Sequence, residues 1–328
     1  MPTTGPTAPA TATATLAPIA QIRALVVSPG DDRALYAIVG ERAYRSADGG
    51  ATWTFLDTTG MPPEARLFTL ALDYRDPSVL YAATSSGIYR RVGANEWKFV
   101  HPLSAQALAV DFVDSNVLWA GVSWTTEYRA VILKSTDAGR TWGRADFGIQ
   151  AYSGYGVTSL LIDPADPNIL YANLRYGGRF GWPWGWLYRG GRGGTWEVLR
   201  PGTEETQDME FSEDACIPHG LAFDPTLRRL YVGCDAYYYN KSSLFMLRSD
   251  NAHAPNAQDI AWGKVLTHGT VTLPFALGFV APLAVDARPP MAVYAVVSGT
   301  STVSDKPYRF LVSHDDGQTW TELAVPAF

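Results

Sequence analysis

Apolar residues gather along this chain in short runs, and the runs come in pairs separated by turn residues. The first run of each pair carries a leucine and the second an aromatic: Leu25 with Tyr36, Leu70 with Tyr81, Leu108 with Trp119, Leu160 with Tyr171, Leu221 with Tyr231, and Leu283 with Tyr294. Runs of this kind, bounded by Gly, Pro, Asn and Asp, read as β-strands joined in hairpins. Asp73-Tyr-Arg-Asp76-Pro77, Asp163-Pro164-Ala-Asp166-Pro167 and Asp224-Pro225 separate the runs, where Pro and Asp favour a bend. Six copies extend from about Ile19 to the end, about 38 to 62 residues apart, and a period of that size marks a repeat architecture. Small or compact residues, Ala24, Thr69, Ala107, Ser159, Gly220 and Pro282, precede the leucines, as expected of strands crowded around a common axis.

A polar phrase punctuates three of the copies: Ser46-Ala-Asp48-Gly-Gly50-Ala-Thr52-Trp53, Ser135-Thr-Asp137-Ala-Gly139-Arg-Thr141-Trp142 and Ser313-His-Asp315-Asp-Gly317-Gln-Thr319-Trp320. Its residues suit a tight turn. The Asp carboxylate accepts from turn amides, Gly tolerates positive φ, and Thr-Trp opens a strand, with the Trp anchoring the turn to its sheet. The phrase resembles the Asp-box, or bacterial neuraminidase repeat, found in propellers of sialidases, xyloglucan hydrolases, sortilin-type receptors and photosystem assembly factors. In those families it is structural, which makes Asp48, Trp53, Asp137, Trp142, Asp315 and Trp320 structural here. Degraded copies fill the remaining places. Repeat four has Gly191 where Asp belongs and keeps Gly194-Thr195-Trp196, repeat two keeps Trp97, and repeat five starts a box at Arg248-Ser249-Asp250-Asn251 that an insertion carries to Trp262. The expectation is an all-β, six-bladed propeller of four-stranded antiparallel blades with Asp-box turns.

Composition fits one large β-domain, with 47% hydrophobic residues, 11 Trp, 17 Tyr and 30 Gly in 328 residues. Residues 1–18 form a Thr/Ala/Pro tract that reads as a disordered linker, leaving 19–328 for the propeller. Such tracts follow a signal peptide or lipid anchor in exported bacterial proteins, so the chain reads as extracellular or cell-surface, anchored through an N-terminal signal it lacks. No transmembrane run is present; the longest apolar stretch, Leu273 to Val285, is too short and contains two prolines. A formal charge of −6 argues against a nucleic-acid partner, and Arg189-Gly-Gly-Arg192-Gly-Gly reads as a decayed turn. Cys216 and Cys234 stand at the ends of one predicted hairpin that antiparallel pairing brings together, so a disulfide is expected, and with it an oxidising compartment.

In a propeller the second-to-third-strand loops share one face with the connections between blades, opposite the boxes. On that face blades one and two carry short loops, whereas blades three to five carry aromatic ones. These are Trp124-Thr-Thr-Glu127-Tyr128, the segment from Tyr176 through Arg179, Trp182 and Trp184 to Trp186, and Tyr237-Tyr238-Tyr239-Asn240. Neighbouring blades would merge them into one patch, suited to stacking on sugar rings or to a protein interface, unless the rings fold back as a plug. Between Glu204 and Asp214 lies an acidic run, a source of paired carboxylates for glycoside hydrolysis, of calcium ligands, or of plain solvated loop. A divergent, sialidase-like glycoside hydrolase acting on a polysaccharide or glycoconjugate, with that run or Glu127, is therefore the alternative. Against it, the chain has no Arg-Ile-Pro segment of the sialidase type and is less than half as long as the two-propeller xyloglucan hydrolases. The five histidines show no metal-ligand spacing, although His219 is placed to face the axis. The sequence thus reads as a binding propeller for a glycan or partner protein, with no catalytic residue, metal or cofactor assigned.

Overall fold

The computed structural model describes residues 22–29, 34–123, 131–149, 154–177, 183–199, 216–235, 245–267, 277–299 and 308–323. Residues 1–18, expected to be a linker, lie outside them. Twenty-four strands form six four-stranded antiparallel sheets, each a meander of consecutive strands. Blade one comprises Ile22–Val27, Leu35–Val39, Arg42–Ser46 and Thr54–Phe55 (β1–β4), and blade two Leu67–Leu72, Val79–Thr84, Gly87–Val92 and Lys98–His101 (β5–β8). Blade three follows with Ala107–Val110, Leu118–Gly121, Ile132–Ser135 and Gly143–Arg144 (β9–β12), and blade four with Tyr155–Ile162, Leu170–Gly177, Pro183–Gly190 and Trp196–Leu199 (β13–β16). Blade five is Ile217–Asp224, Arg229–Asp235, Phe245–Ser249 and Gly263–Thr267 (β17–β20), and blade six Leu277–Asp286, Ala292–Gly299, Tyr308–Ser313 and Thr321–Leu323 (β21–β24). Helix is confined, among the described residues, to one 3-10 turn at Ala257–Asp259.

The core is divided into six apolar wedges, one between each pair of neighbouring blades. Both faces of every sheet are therefore covered, which is why the second strands read as unbroken apolar runs; β6 is buried at all its positions. The aromatic of each second strand lies inside a wedge, and Trp119, Tyr81, Tyr171 and Tyr231 are among the largest fully buried side chains. A cation on the third strand stands directly opposite in five blades, pairing Tyr36 with Arg45, Tyr81 with Arg90, Trp119 with Lys134, Tyr171 with Arg189 and Tyr231 with Arg248. In blades one to three the charge lies 6.0, 5.9 and 5.0 Å from the ring centroid, close enough for cation–π attraction. The ring closes through the wedge that joins Leu25, Leu35 and Tyr44 of blade one to Ala284, Tyr294 and Phe310 of blade six. Among the described residues, neither blade takes a strand from the other.

The three complete boxes fold identically. Each Ser Oγ donates to the Asp Oδ1 (2.7–2.8 Å) and accepts the Gly N–H (2.8–2.9 Å), while the Thr amide and hydroxyl donate to the two Asp oxygens. The Thr hydroxyl, then the Thr amide, hold the carboxyls of Asp48, Asp137 and Asp315 down at about 2. Blade five rebuilds the turn with Asn251 in the Asp place: Ser249 Oγ bonds its Oδ1, and the inserted residues return so that the Ala261 amide reaches the same oxygen. The degraded boxes use their tryptophans differently. Trp97 and Trp196 are buried and donate across to carbonyls of the preceding blade, Asp57 and Ala145, whereas half-buried Trp142 donates to Gly139 of its own turn and half-buried Trp320 divides its N–H between Gly317 of its own turn (2.9 Å) and Val265 of blade five (3.3 Å).

A second acidic repeat lies in the first-to-second-strand turns. Asp73, Asp111, Asp163 and Asp224 are buried, and each Oδ1 accepts the amides two and three residues on. Arg192, in the Arg-Gly-Gly segment, pairs with Asp111 of blade three, and Arg228 with Asp163 of blade four, so these turns also tie blades together. Arg189 is held by Glu197 and by the Ala252, Ala254 and Pro255 carbonyls of blade five.

Candidate functional site

Most of the expected aromatic patch, Trp124, Glu127, Tyr128, Arg179, Trp182, Tyr237, Tyr238 and Tyr239, lies outside the described residues, as does the segment 204–214. Blade four corrects the expected loop there. Its hairpin runs on, with Tyr176 opposite Trp184 and Leu174 opposite Trp186, so only 178–182 separates the two strands. Trp and Tyr are good strand formers, and their pairing outweighs the intervening Gly and Pro that read as loop. Trp186 is half-buried at the margin of the wedge between blades three and four, its ring 5.5 Å from that of Tyr155. The disulfide joins Cys216 to Cys234, with a Cα separation of 4.8 Å, where β18 pairs back onto β17. It ties the strand following 200–215 to the strand leading into 236–244.

A cavity of about 1220 Å³ runs along the axis, lined by the first strands of all six blades. Each of those strands is the last member of its sheet, so one backbone edge of each borders the cavity. Ala24, Thr69, Ala107, Ser159 and Gly220 line it as expected. In blade six a register shift between Pro282 and Ala284 intervenes, and the lining there includes Ala281 and Leu283.

Toward the face of the second-to-third-strand loops, β1, β5, β13 and β17 each carry a bulge at the same register position, two residues before the leucine. A bulge leaves its extra residue outside the ladder and re-aims the side chain. The bulged residues are Arg23, Phe68, Thr158 and His219; Gln106, just ahead of β9, holds the same place in blade three, and all five line the cavity. Neighbours on or beside the second strands hold three of them. Gln106 Nε2 donates to Ser123 Oγ (2.9 Å), Asn173 Nδ2 donates to Thr158 Oγ1 (3.2 Å), and Arg175 contacts His219 Nδ1. The carboxylate among the described lining residues, Asp286, belongs to the opposite end, where the Arg288 guanidinium grips both its oxygens at 2.7 and 2.9 Å. Of this ring, only His219 was singled out from sequence. The signal for the rest is a register position at which the blades differ while the adjacent leucine does not.

Among solved structures, an ancestral GH74 enzyme superposes with a TM-score of 0.57 at 18% identity, over 93% of this chain and 39% of that one. The extracellular domain of a B. thetaiotaomicron protein described as a one component system gives 0.45 at 12% identity, covering 89% and 38% of the two chains. The tricorn protease gives 0.42 at 10%, covering 93% and 31%. The chain thus spans about two fifths of the GH74 enzyme, and at such identity the likeness is one of fold. No family model matches the chain, and no curated protein matches it. Fold and site together define a six-bladed, all-β propeller with an axial cavity and a polar ring at one mouth.

Proposed function

We propose that the chain is an exported, non-catalytic binding propeller of the Asp-box type, recognising a glycan or a partner protein through the aromatic loops of blades three to five. The observation that carries this reading is the uneven build of the loop-bearing face. Blades one and two close their second-to-third turns tightly at Val39–Arg42 and Thr84–Gly87, whereas blade four carries its second hairpin on through Gly177 and Pro183, with Trp184 next to Pro183 in the returning strand. Aromatic side chains on a rigid scaffold are frequent contact groups for sugar faces and for protein hot spots. Hydrolysis of a glycoside requires two carboxylates flanking the bond. Among the described cavity-lining residues there is one, Asp286, and it is engaged by Arg288. The identical bonding of the three boxes supports assignment to the Asp-box repeat, and the buried disulfide supports export to an oxidising compartment. The domain is taken as residues 19–328, preceded by a linker.

The test is a glycan array together with a pull-down of surface proteins. Replacing Trp182 and Trp184 by Ala should abolish the binding found while shifting the melting temperature little; Trp186, which packs on the wedge beside Tyr155, is left in place. A large drop in melting temperature would mean that these rings are core, and turnover of a sialoside or plant polysaccharide that is lost on replacing Glu127 or one of Glu204 to Asp214 would replace binding by hydrolysis.

A further inference from the structure

We propose that the axial cavity is a second binding site, taking the extended end of a partner polypeptide, which pairs as an added strand along β1 or β5. In an antiparallel ladder the N–H and C=O of successive residues point alternately toward the partner strand and away from it. The amides of Ser28, Asp73, Asp111 and Asp163 each donate to the second-strand side of their own blade, at Ala34, Val79, Val117 and Ile169. By alternation, Leu25 and Val27, Leu70 and Leu72, Leu108 and Val110, and Leu160 and Ile162 turn their backbone groups the other way, toward the cavity that all eight line. Among the described residues, no backbone bond joins one first strand to another. The Leu70 carbonyl accepts only a long bond from Thr69 Oγ1, at 3.4 Å. Each edge thus offers donors and acceptors two residues, or about 6.8 Å, apart, which is the repeat of another extended chain. A strand added to a sheet edge meets such groups with its own main chain, whereas the hydroxyls of a sugar do not follow that spacing.

The long edges are also the enclosed ones. From blade one to blade six the outer strands have 2, 4, 2, 4, 5 and 3 residues, and the first strands 6, 6, 4, 8, 8 and 10. Short outer edges resist pairing, while a long row of unpaired N–H and C=O groups is a template for another chain. Over the roughly 20 Å that six extended residues span, a cavity of about 1220 Å³ has a mean cross-section of about 60 Å². One strand needs about 48 Å², from spacings of about 4.8 Å within a sheet and about 10 Å between sheets. A single extended chain with small side chains therefore fits, and a folded domain or a second sheet does not.

Four of the six edges are poor hosts. β17 and β21 carry Pro218 and Pro282, the residue type that blunts an edge. The start of β13 is already engaged, because Val157 donates to Val122 and Gly156 bridges to Ser123. β9 has only four residues. β1 and β5 remain, each six residues long without Gly or Pro.

Fluorescence anisotropy of the whole chain with a panel of labelled heptapeptides built from Ala, Ser, Thr and Val tests the proposal. The panel should contain binders, and N-methylation at alternate positions should split their behaviour. Blocking the amides that face β1 or β5 should weaken binding about tenfold or more, and blocking the other set should leave it near that of the parent peptide. Amide hydrogen exchange then locates the guest. Exchange slowed about tenfold or more at Leu25 and Val27 places it on β1, and at Leu70 and Leu72 on β5; either supports the site. A variant with Trp182 and Trp184 replaced by Ala should bind the peptides as wild type does, which separates the cavity from the aromatic loops. Failure of the whole panel to bind, equal effects of the two methylation sets, protection confined to residues outside β1 and β5, or loss of peptide binding in the tryptophan variant would each overturn the proposal.

Discussion

Trp196, in a degraded box, should matter more to stability than Trp142, in an intact one. Trp196 is 4% exposed, its Nε1–H donates to the Ala145 carbonyl at 2.7 Å, and its ring meets that of Trp119 edge-on at 6.4 Å. Trp142 is half-buried and bonds Gly139 of its own turn at 2.9 Å, where water can replace it. Trp196→Phe removes roughly 40 Å³ from a close-packed wedge, which at about 24 cal/mol per Å³ costs about 1 kcal/mol. It also leaves the buried Ala145 carbonyl without that donor, costing about 1–3 kcal/mol more. Trp142→Phe loses a solvent-accessible hydrogen bond, worth about 0.5–1 kcal/mol. The expected gap of about 2 kcal/mol is roughly thirtyfold in the folded-to-unfolded ratio. Urea unfolding followed by circular dichroism reads it directly, provided the two variants keep the wild-type slope. If Trp142→Phe proved equal or worse, the own-turn bond of Trp142 would anchor as strongly as the cross-blade bond of Trp196, and the reasoning would be wrong.

Two further outcomes follow from the turns and the disulfide. Because the carboxyls of Asp48, Asp137 and Asp315 lie at about 2 when folded, against an ordinary 3.8, their contribution is complete above about pH 4 and is lost as pH falls toward 2. A triple Asp→Asn variant should therefore show a flatter decline of melting temperature between pH 5 and 2 than wild type, and parallel declines would contradict the assignment. Replacing Cys216 and Cys234 by Ser opens a link with a sequence separation of 18, worth about 3 kcal/mol in chain entropy; an unchanged urea midpoint would show that blade five holds its hairpin without the bond.

The fold was readable because six blades ask for the same things. Leu25 and its counterparts, the second-strand aromatics and the Ser-x-Asp-x-Gly-x-Thr-Trp turns each recur because one hydrogen-bond pattern and one wedge shape recur. Reading those repeats as turns still missed what Asp73, Asp111, Asp163 and Asp224 do. Asp beside Pro signals a bend, but burial of the carboxylate and its capture by Arg192 or Arg228 of the next blade depend on contacts between blades that lie far apart in sequence. Blade four's hairpin was misread for a related reason: Gly and Pro among tryptophans look like loop until the pairing of Tyr176 with Trp184 is seen.

The axial ring was hidden by the same regularity that exposed the fold. No residue type spells a bulge, and Arg23, Phe68, Gln106, Thr158 and His219 share nothing in the sequence except their distance from a leucine. Agreement among the copies locates what the scaffold requires, because a side chain that packs in every wedge must suit every wedge. Disagreement at a position that four blades bulge beside one shared cavity is not set by the wedges, which is why no single residue type marks it.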